Sequence, residues 1–159
     1  MQLSKNFSLI ELTKSQTAER KGIPNDPSAD HISNLKLLCE RVLQPVRDHF
    51  NHVVSISSGY RSSELCIAIG SSLESQHAKG MAADFEIFGT PNNETANWIK
   101  DNLIFDQLIL EFWNSDEPNS GWVHVSYDPD FNQNRKSYLR AFKDESNKTQ
   151  YAPVTGKAL

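Results

Sequence analysis

The spacing of the apolar residues changes near residue 52 of this chain, and that change limits the folds it can adopt. Across residues 28–50 the apolar side chains recur every three or four positions, which predicts a long amphipathic helix. Pro45 should bend or split that helix. The later apolar segments have strand character instead: residues 53–57 and the segments MAADFEIF, FDQLILEF, GWVHVSY and SYLRAF.

Helices that come early and strands that come late favour an α+β domain over alternating βαβ winding. Short connections between the last strands predict a largely antiparallel sheet with helices packed on it. Further helices are predicted after Ser8, which has a capping-box partner in Glu11, over residues 63–69 and over residues 95–103. The length suits one domain, which we place at residues 1–143. Residues 144–159 form a polar C-terminal tail whose composition is compatible with disorder.

The charge and the apolar pattern exclude several partners. The formal net charge is -4 and the Lys and Arg residues form no stripe, which argues against nucleic acid. The N-terminus lacks the apolar run of a signal peptide, and no stretch of about 20 apolar residues predicts membrane insertion. We therefore expect synthesis in the cytoplasm. Cys39 and Cys66 lack a second Cys at metal-ligand spacing and are expected to be reduced core thiols.

Two of the five histidines have neighbours that suggest chemistry. His77 and Asp84 stand at the ends of a segment that contains Gly80 and small residues, so a loop could bring them together. In GWVHVSY, alternation places His124 on one strand face with Trp122 and Ser126. The histidines at positions 31, 49 and 52 lie at the ends of the long helix, where packing or solvation explains them.

Two imidazoles and a carboxylate can hold a catalytic zinc ion and leave a fourth position for water. The same residues could equally be unrelated hydrogen-bonding groups, and their spacing alone leaves both interpretations open. The wider pattern is more specific. It reads Ser-x-His-x-x-Gly-x-Ala-x-Asp, followed some forty residues later by Trp-x-His-Val.

This pattern resembles that of the zinc D-alanyl-D-alanine carboxypeptidases and L-alanyl-D-glutamate endopeptidases. That family includes phage endolysins and the D-Ala-D-Ala dipeptidases of glycopeptide resistance, and its fold is related to the hedgehog signalling domain. The resemblance extends upstream to SGYRS and to the FSLIELTKSQTA opening, and it covers roughly residues 6–127.

The resemblance implies a zinc ion bound by His77, Asp84 and His124. It also implies that Arg61 lies near the site, where it binds a substrate carbonyl or carboxylate and stabilises the oxyanion. A permanent charge and a fork of donors suit arginine to that role. The alternative for Arg61 is a solvated loop charge.

Zinc hydrolases also need a general base, and here the chain departs from some relatives. They carry an acid three residues before the last His ligand, where this chain has Gly121. Glu111 is the best substitute, because its strand should pair with GWVHVSY and alternation places it with Gln107 and Ile109. Asp106, on the opposite face, and Asp116 and Glu117, in the connection, are weaker candidates.

Two further residues are candidate substrate contacts. Ser75 belongs to the matched motif, which implies a hydrogen bond to substrate or to a metal ligand, although a turn-forming serine is the simpler interpretation. Trp122 shares the face of His124 and could line the substrate cleft or cover the core.

These features predict a monomeric zinc peptidase that cuts peptidoglycan stem peptides, either as a D-Ala carboxypeptidase or as an endopeptidase. Such a chain would act at the cell wall after release, which suits a phage or prophage product. The alternative is a non-catalytic module, for peptidoglycan binding or virion structure, that keeps the zinc and has lost its base.

Overall fold

The computed structural model describes residues 1–155, and a six-stranded sheet forms its centre. Before it, β1 (Gln2–Ser4) and β2 (Phe7–Ser8) form a small antiparallel hairpin. The strands of the large sheet are β3 (Val54–Ser58), β4 (Ala82–Ile87), β5 (Gln107–Glu111), β6 (Trp122–Ser126), β7 (Ser137–Lys143) and β8 (Thr149–Pro153). Their order is β3-β4-β6-β5-β7-β8, and only the β5–β7 pairing is parallel. The predicted α+β domain with a largely antiparallel sheet is confirmed.

The helices lie mainly before the sheet in sequence. They are α1 (Leu9–Thr13), α2 (Gln16–Lys21), α3 (Ala29–Leu38), α4 (Gln44–Phe50), α5 (Ser63–Ala68) and α6 (Asn92–Asn102). Ser8 caps α1 by accepting from the backbone N–H of Glu11, and Ser62 caps α5 in the same way through Leu65. The predicted helix over residues 95–103 begins three residues earlier, at Asn92.

The long predicted helix is divided just before Pro45. Residues Cys39–Leu43 form a π-helical turn between α3 and α4, in which the N–H of Gln44 bonds to the carbonyl of Cys39. Proline lacks an N–H and its ring crowds the carbonyl four residues earlier, so one wider turn accommodates it without a break. The residues around Pro45 thus stay helical, with a π-helical turn between two α-helical segments.

The sheet has one apolar face and one polar face. Strand alternation directs one set of side chains toward the helices, where they form the core; this set includes Phe85, Leu108, Leu110, Val123 and Val125. The opposite face carries Asp84, His124 and Glu111, because paired residues on neighbouring strands project to the same side. A single alternating pattern therefore builds both the core and a polar surface.

The polar C-terminal segment contains a strand that the sequence did not predict. Residues Thr149–Pro153 form β8, which pairs antiparallel with β7 and places Tyr151 opposite Ala141. Its side chains are mostly exposed, so it lacks the apolar alternation by which strands are recognised. Expected disorder is thus wrong for this strand, whereas residues 156–159 lie outside the described part of the chain.

Cys39 and Cys66 are both buried and free, as expected for core thiols. Burial raises the pKa of the Cys39 thiol to about 12, which keeps it protonated and unreactive. Within residues 1–155, no helix is long and apolar enough to cross a membrane.

Asp106 connects three parts of the fold just before β5. Its carboxylate accepts from Nε and Nη2 of Arg135 at 2.8 and 3.1 Å, and from Nε2 of Gln76 at 2.8 Å. Burial by itself raises the pKa of this carboxyl, but these hydrogen bonds outweigh burial and lower the pKa below its ordinary value. Asp106 is therefore a structural carboxylate, which agrees with its low rank as a general base.

We expect Asp106→Asn to lower the free energy of unfolding by about 1–3 kcal/mol near neutral pH, since charge-assisted bonds are lost. Folding lowers this pKa, so the stabilisation is present above the unfolded pKa of about 3.9 and is lost as pH falls through the folded value. Urea unfolding should show the difference between wild type and variant shrinking as the pH falls below about 4.

The exposed Asp116→Asn is the matched control and should stay within about 0.5 kcal/mol of wild type. A pH-independent difference for Asp106→Asn would show that the carboxylate charge contributes nothing.

Candidate metal centre and its cleft

His77, Asp84 and His124 come together on the polar face of the sheet. Oδ1 of Asp84 lies 3.4 Å from Nε2 of His77 and 2.9 Å from Nδ1 of His124. One potential ligand atom from each of the three residues lies within 4.8 Å of the others, and all three residues are buried. The structure thus unites the predicted ligand set in a geometry that could hold a metal ion.

Strand pairing places two of these residues and a tight turn places the third. Asp84 on β4 is directly opposite His124 on β6. His77 lies in the 3₁₀ turn Gln76–Lys79, where Ser75 accepts from its backbone N–H at 3.2 Å. Gly80 ends the turn at a φ of 72°, and a Cβ there would come within 2.5 Å of the His31 carbonyl oxygen. Position 80 therefore requires glycine, and the turn that it ends brings His77 toward Asp84.

The hydrogen bond between the His77 ring and the Gly59 carbonyl determines which ring nitrogen faces Asp84 without a proton. Nδ1 lies 2.7 Å from the carbonyl oxygen of Gly59, which can only accept, so Nδ1 carries the proton. In the neutral ring Nε2 then presents a lone pair toward Asp84, which is itself an acceptor. Converging acceptors repel one another unless a cation lies between them. This donor set therefore fits a bound metal ion, and nitrogen ligands with one carboxylate suit zinc.

The electrostatics of the cluster favour the protonation states that metal ligands require. Burial lowers the pKa of the His77 imidazole despite the opposing effect of Asp84, which keeps it neutral at pH 7. Burial alone would raise the pKa of Asp84, but the hydrogen bond with His124 and the nearby imidazole of His77 outweigh it and hold that pKa well below its usual range. A neutral imidazole and an ionised carboxylate are the ligand forms of these groups.

Arg61 lies beside the cluster, as the resemblance implied. Its Nη2 donates to Oδ2 of Asp84 at 3.4 Å and its Nε donates to the Ser58 hydroxyl at 3.0 Å. The side chain is 20% exposed, so it is neither a solvated loop charge nor closed off from the cleft. A guanidinium has five N–H donors, and these two bonds leave others for a substrate oxygen.

Glu111 faces the same cleft from β5. It pairs with Trp122 in the register that puts Ile109 opposite His124, so the predicted strand pairing and shared face are confirmed. Burial raises the pKa of the Glu111 carboxyl, with a further increase from Asp84, against the lowering effects of His124 and Arg61. A carboxylate with a raised pKa holds a proton more readily, which suits a general base.

The contact of Gly121 with Glu111 explains why no acid stands at position 121. Gly121 has a φ of 67°, and a Cβ there would overlap the carbonyl oxygen of Glu111 at 1.8 Å. Any side chain at this point would push β5 and β6 apart. The position therefore serves the close approach of the strand that carries Glu111.

The cleft has a volume of about 470 Å³ and includes residues that the sequence did not single out. Ser75 and Trp122 line it, as predicted, although their contact with substrate stays a prediction. Arg135 and Tyr151 line it as well. Both belong to the segment after β6, and they reach the cleft because β7 and β8 continue the sheet beyond β5. The sequence contains no local signal for that pairing.

The remaining histidines do not line the cleft. The ring of His31 accepts from the Ser28 backbone in a capping box, and His49 stacks on Trp98 with ring centroids 4.3 Å apart. His52 is exposed just before β3. None of the three belongs to the metal-ligand group found among residues 1–155.

A protein-family comparison agrees with this geometry. The family model described as Peptidase M15 matches residues 5–126, which include His77, Asp84 and His124 together with Arg61 and Glu111. No curated protein matches the chain. The match ends with β6, so Arg135 and Tyr151 lie beyond it.

We expect Gly121→Ala to destabilise the protein by about 3 kcal/mol or more. The alanine would have to adopt a left-handed backbone conformation, and its Cβ would overlap the Glu111 carbonyl oxygen. Gly70→Ala is the matched control, because Gly70 has a φ of 71° but no atom within 4 Å of the added Cβ. It should cost only about 1–2 kcal/mol. Equal losses in urea unfolding would rule out the contact with Glu111 as the reason for Gly121.

Proposed function

The chain belongs to the peptidase M15 family, and we propose that its cleft is the active site of a zinc-dependent peptidase that cuts peptidoglycan stem peptides. The observation that carries this proposal is the convergence of His77, Asp84 and His124 beside Arg61 and Glu111 in one cleft. These groups supply a metal site, a cationic donor and a carboxylate, which is the set that metal-assisted hydrolysis requires.

Zinc, when held by these three residues, supplies Lewis-acid chemistry that polarises a peptide carbonyl and makes water nucleophilic near neutral pH. Arg61 donates hydrogen bonds to the carbonyl oxygen of the scissile bond and stabilises the negative charge that develops there. Its bond to Asp84 holds the guanidinium in place. Arg61 thus binds and orients the substrate.

Glu111 moves the proton. Its carboxylate oxygen takes a proton from the attacking water and later delivers it to the nitrogen of the leaving amine. The raised pKa of this carboxyl supports the second step, because the protonated carboxyl group retains its proton until the leaving amine accepts it. Trp122 lies on β6, opposite Glu111 of β5. Together with Ser75 it extends the cleft surface that a substrate could contact.

The proposed substrate class follows the resemblance of the Ser75–Asp84 and Trp122–Val125 motifs to peptidoglycan peptidases. An open cleft lined by charged and polar groups suits a short peptide that carries carboxylates and amides. Both removal of a terminal D-Ala and cleavage of an internal bond fit this class. The chain would meet such peptides at the cell wall as a monomer after release, as a phage or prophage hydrolase would.

A non-catalytic zinc module was the alternative because position 121 carries no acid. The contact between Gly121 and the Glu111 backbone supports the peptidase instead, since it accounts for the glycine while a carboxylate remains in the cleft. Loss of the base therefore need not be invoked.

We expect the zinc-loaded protein to cleave purified peptidoglycan fragments, with the products identified by mass spectrometry and no cleavage in a chelated control. Glu111→Gln should lower kcat by about 10²–10⁴-fold, since a general acid–base group is removed. The exposed Glu117→Gln is the matched control and should retain full activity. Intact fragments despite stoichiometric zinc would contradict the proposal.

Metal affinity gives a test that does not depend on turnover. Zinc at about 1,000 times its Kd should raise the free energy of unfolding by about 4 kcal/mol. His124→Ala should abolish most of this stabilisation, whereas His52→Ala, at an exposed position, should preserve it. Glu111→Gln should also bind zinc normally, because Glu111 is not a ligand. Equal zinc-induced shifts in melting temperature for the two histidine variants would refute the assigned site.

A further inference from the structure

A second cavity of about 470 Å³ shares Arg61 with the metal-centre cleft, and its charged lining residues are all cationic. Three cationic side chains line it, those of Lys14, Arg20 and Arg61. Among the described residues that line this cavity, none is acidic. In a chain with a net charge of -4, such a cavity is a local positive potential that would concentrate anions.

Arg61 belongs to both cavities, which makes them neighbouring parts of one binding surface. Its guanidinium contacts Asp84 at the metal centre, and its Nε bonds to Ser58, which also lines the second cavity. A peptide whose scissile bond lies at the metal centre can therefore extend past Arg61 into the second cavity.

Arg20 is oriented toward this space by its own helix. Its Nη2 donates to the Thr17 hydroxyl at 3.4 Å, and Thr17 is itself a lining residue. Lys14 is the C-cap residue of α1, two residues before α2 begins, and Arg20 lies in the last turn of α2. Both are exposed, which leaves their donors accessible to a ligand.

The part of the cavity formed by β3 suits a peptide main chain. Ile56, Ser57 and Ser58 line the cavity as consecutive residues of β3, which is the edge strand of the six-stranded sheet. An edge strand presents backbone donors and acceptors that an extended peptide can pair with. Cationic side chains and strand backbone in one cavity together favour an acidic peptide over a simple inorganic anion.

We propose that this cavity is a subsite for a carboxylate-bearing residue of the peptide substrate, with Lys14 and Arg20 as the groups that bind the carboxylate. This inference rests on the proposed function and makes it more specific. Peptidoglycan stem peptides carry such a carboxylate on their glutamyl residue, and its conversion to an amide removes the charge while preserving the shape.

The test measures binding of the tripeptide L-Ala-γ-D-Glu-L-Lys and of its α-amide by isothermal titration calorimetry, so no turnover is needed. Lys14→Ala and Arg20→Ala should each weaken binding of the carboxylate form by about tenfold, as loss of one charge-assisted bond does. Binding of the amide should change less than about twofold. Added salt should weaken the carboxylate form selectively, because it screens the cations.

Lys21→Ala is the matched control. Lys21 follows Arg20 on α2, is exposed and changes the net charge equally, but does not line the cavity. It should bind both peptides as wild type does. Equal losses for the amide and the carboxylate form, or an equal loss with Lys21→Ala, would overturn the subsite.

Hydrolysis assays separate this inference from the proposed function. If fragments are cleaved but KM for the carboxylate peptide is unchanged in Lys14→Ala and Arg20→Ala, the subsite is wrong and the peptidase stands. If fragments stay intact while binding keeps its carboxylate dependence, the peptidase proposal fails and the subsite stands.

Discussion

The antiparallel register of β4 and β6 is the constraint on which the site depends. It places Asp84 opposite His124, and it also places Phe85 opposite Val123 on the apolar face. A slip of one residue would turn the ligands into the core and the core residues out to solvent. The free energy of burying Phe85 and Val123 therefore maintains the geometry of the candidate metal centre, and core and site cannot be specified independently.

The group formed by His77, Asp84 and His124 also shows how a fold can hold potential ligand atoms close together. The His77 ring is fixed from outside by the Gly59 carbonyl, and Asp84 is fixed by Arg61. These contacts orient the two side chains so that their potential ligand atoms point toward each other. Because these contacts already order the side chains in the folded protein, little conformational entropy is lost when a cation binds there. The same outer contacts orient Arg61 between the two cavities.

The sequence predicted those features that local patterns determine. Alternation along β5 and β6 was enough to place Glu111 and His124 on one face. The family resemblance carried by the motifs around His77 and His124 pointed to the three residues that the structure brings together. Arg135 and Tyr151 were missed because they reach the cleft through pairings between distant segments. The strand that carries Tyr151 is polar and mostly exposed, so nothing in its composition separates it from a loop. Lys14 and Arg20 were missed for a similar reason, since their cavity exists only where α2 meets the edge strand.

The parallel pairing of β5 with β7 has a consequence for the order in which the protein is made. The strand that carries Glu111 is flanked by β6 on one side and by β7 on the other. During synthesis β6 leaves the ribosome before β7, so β5 remains an edge strand of the sheet until residues 137–143 have been made. The wall that contains Tyr151 is added later still. The nascent chain can thus bury its core and bring His77, Asp84 and His124 together before the neighbouring cleft is complete.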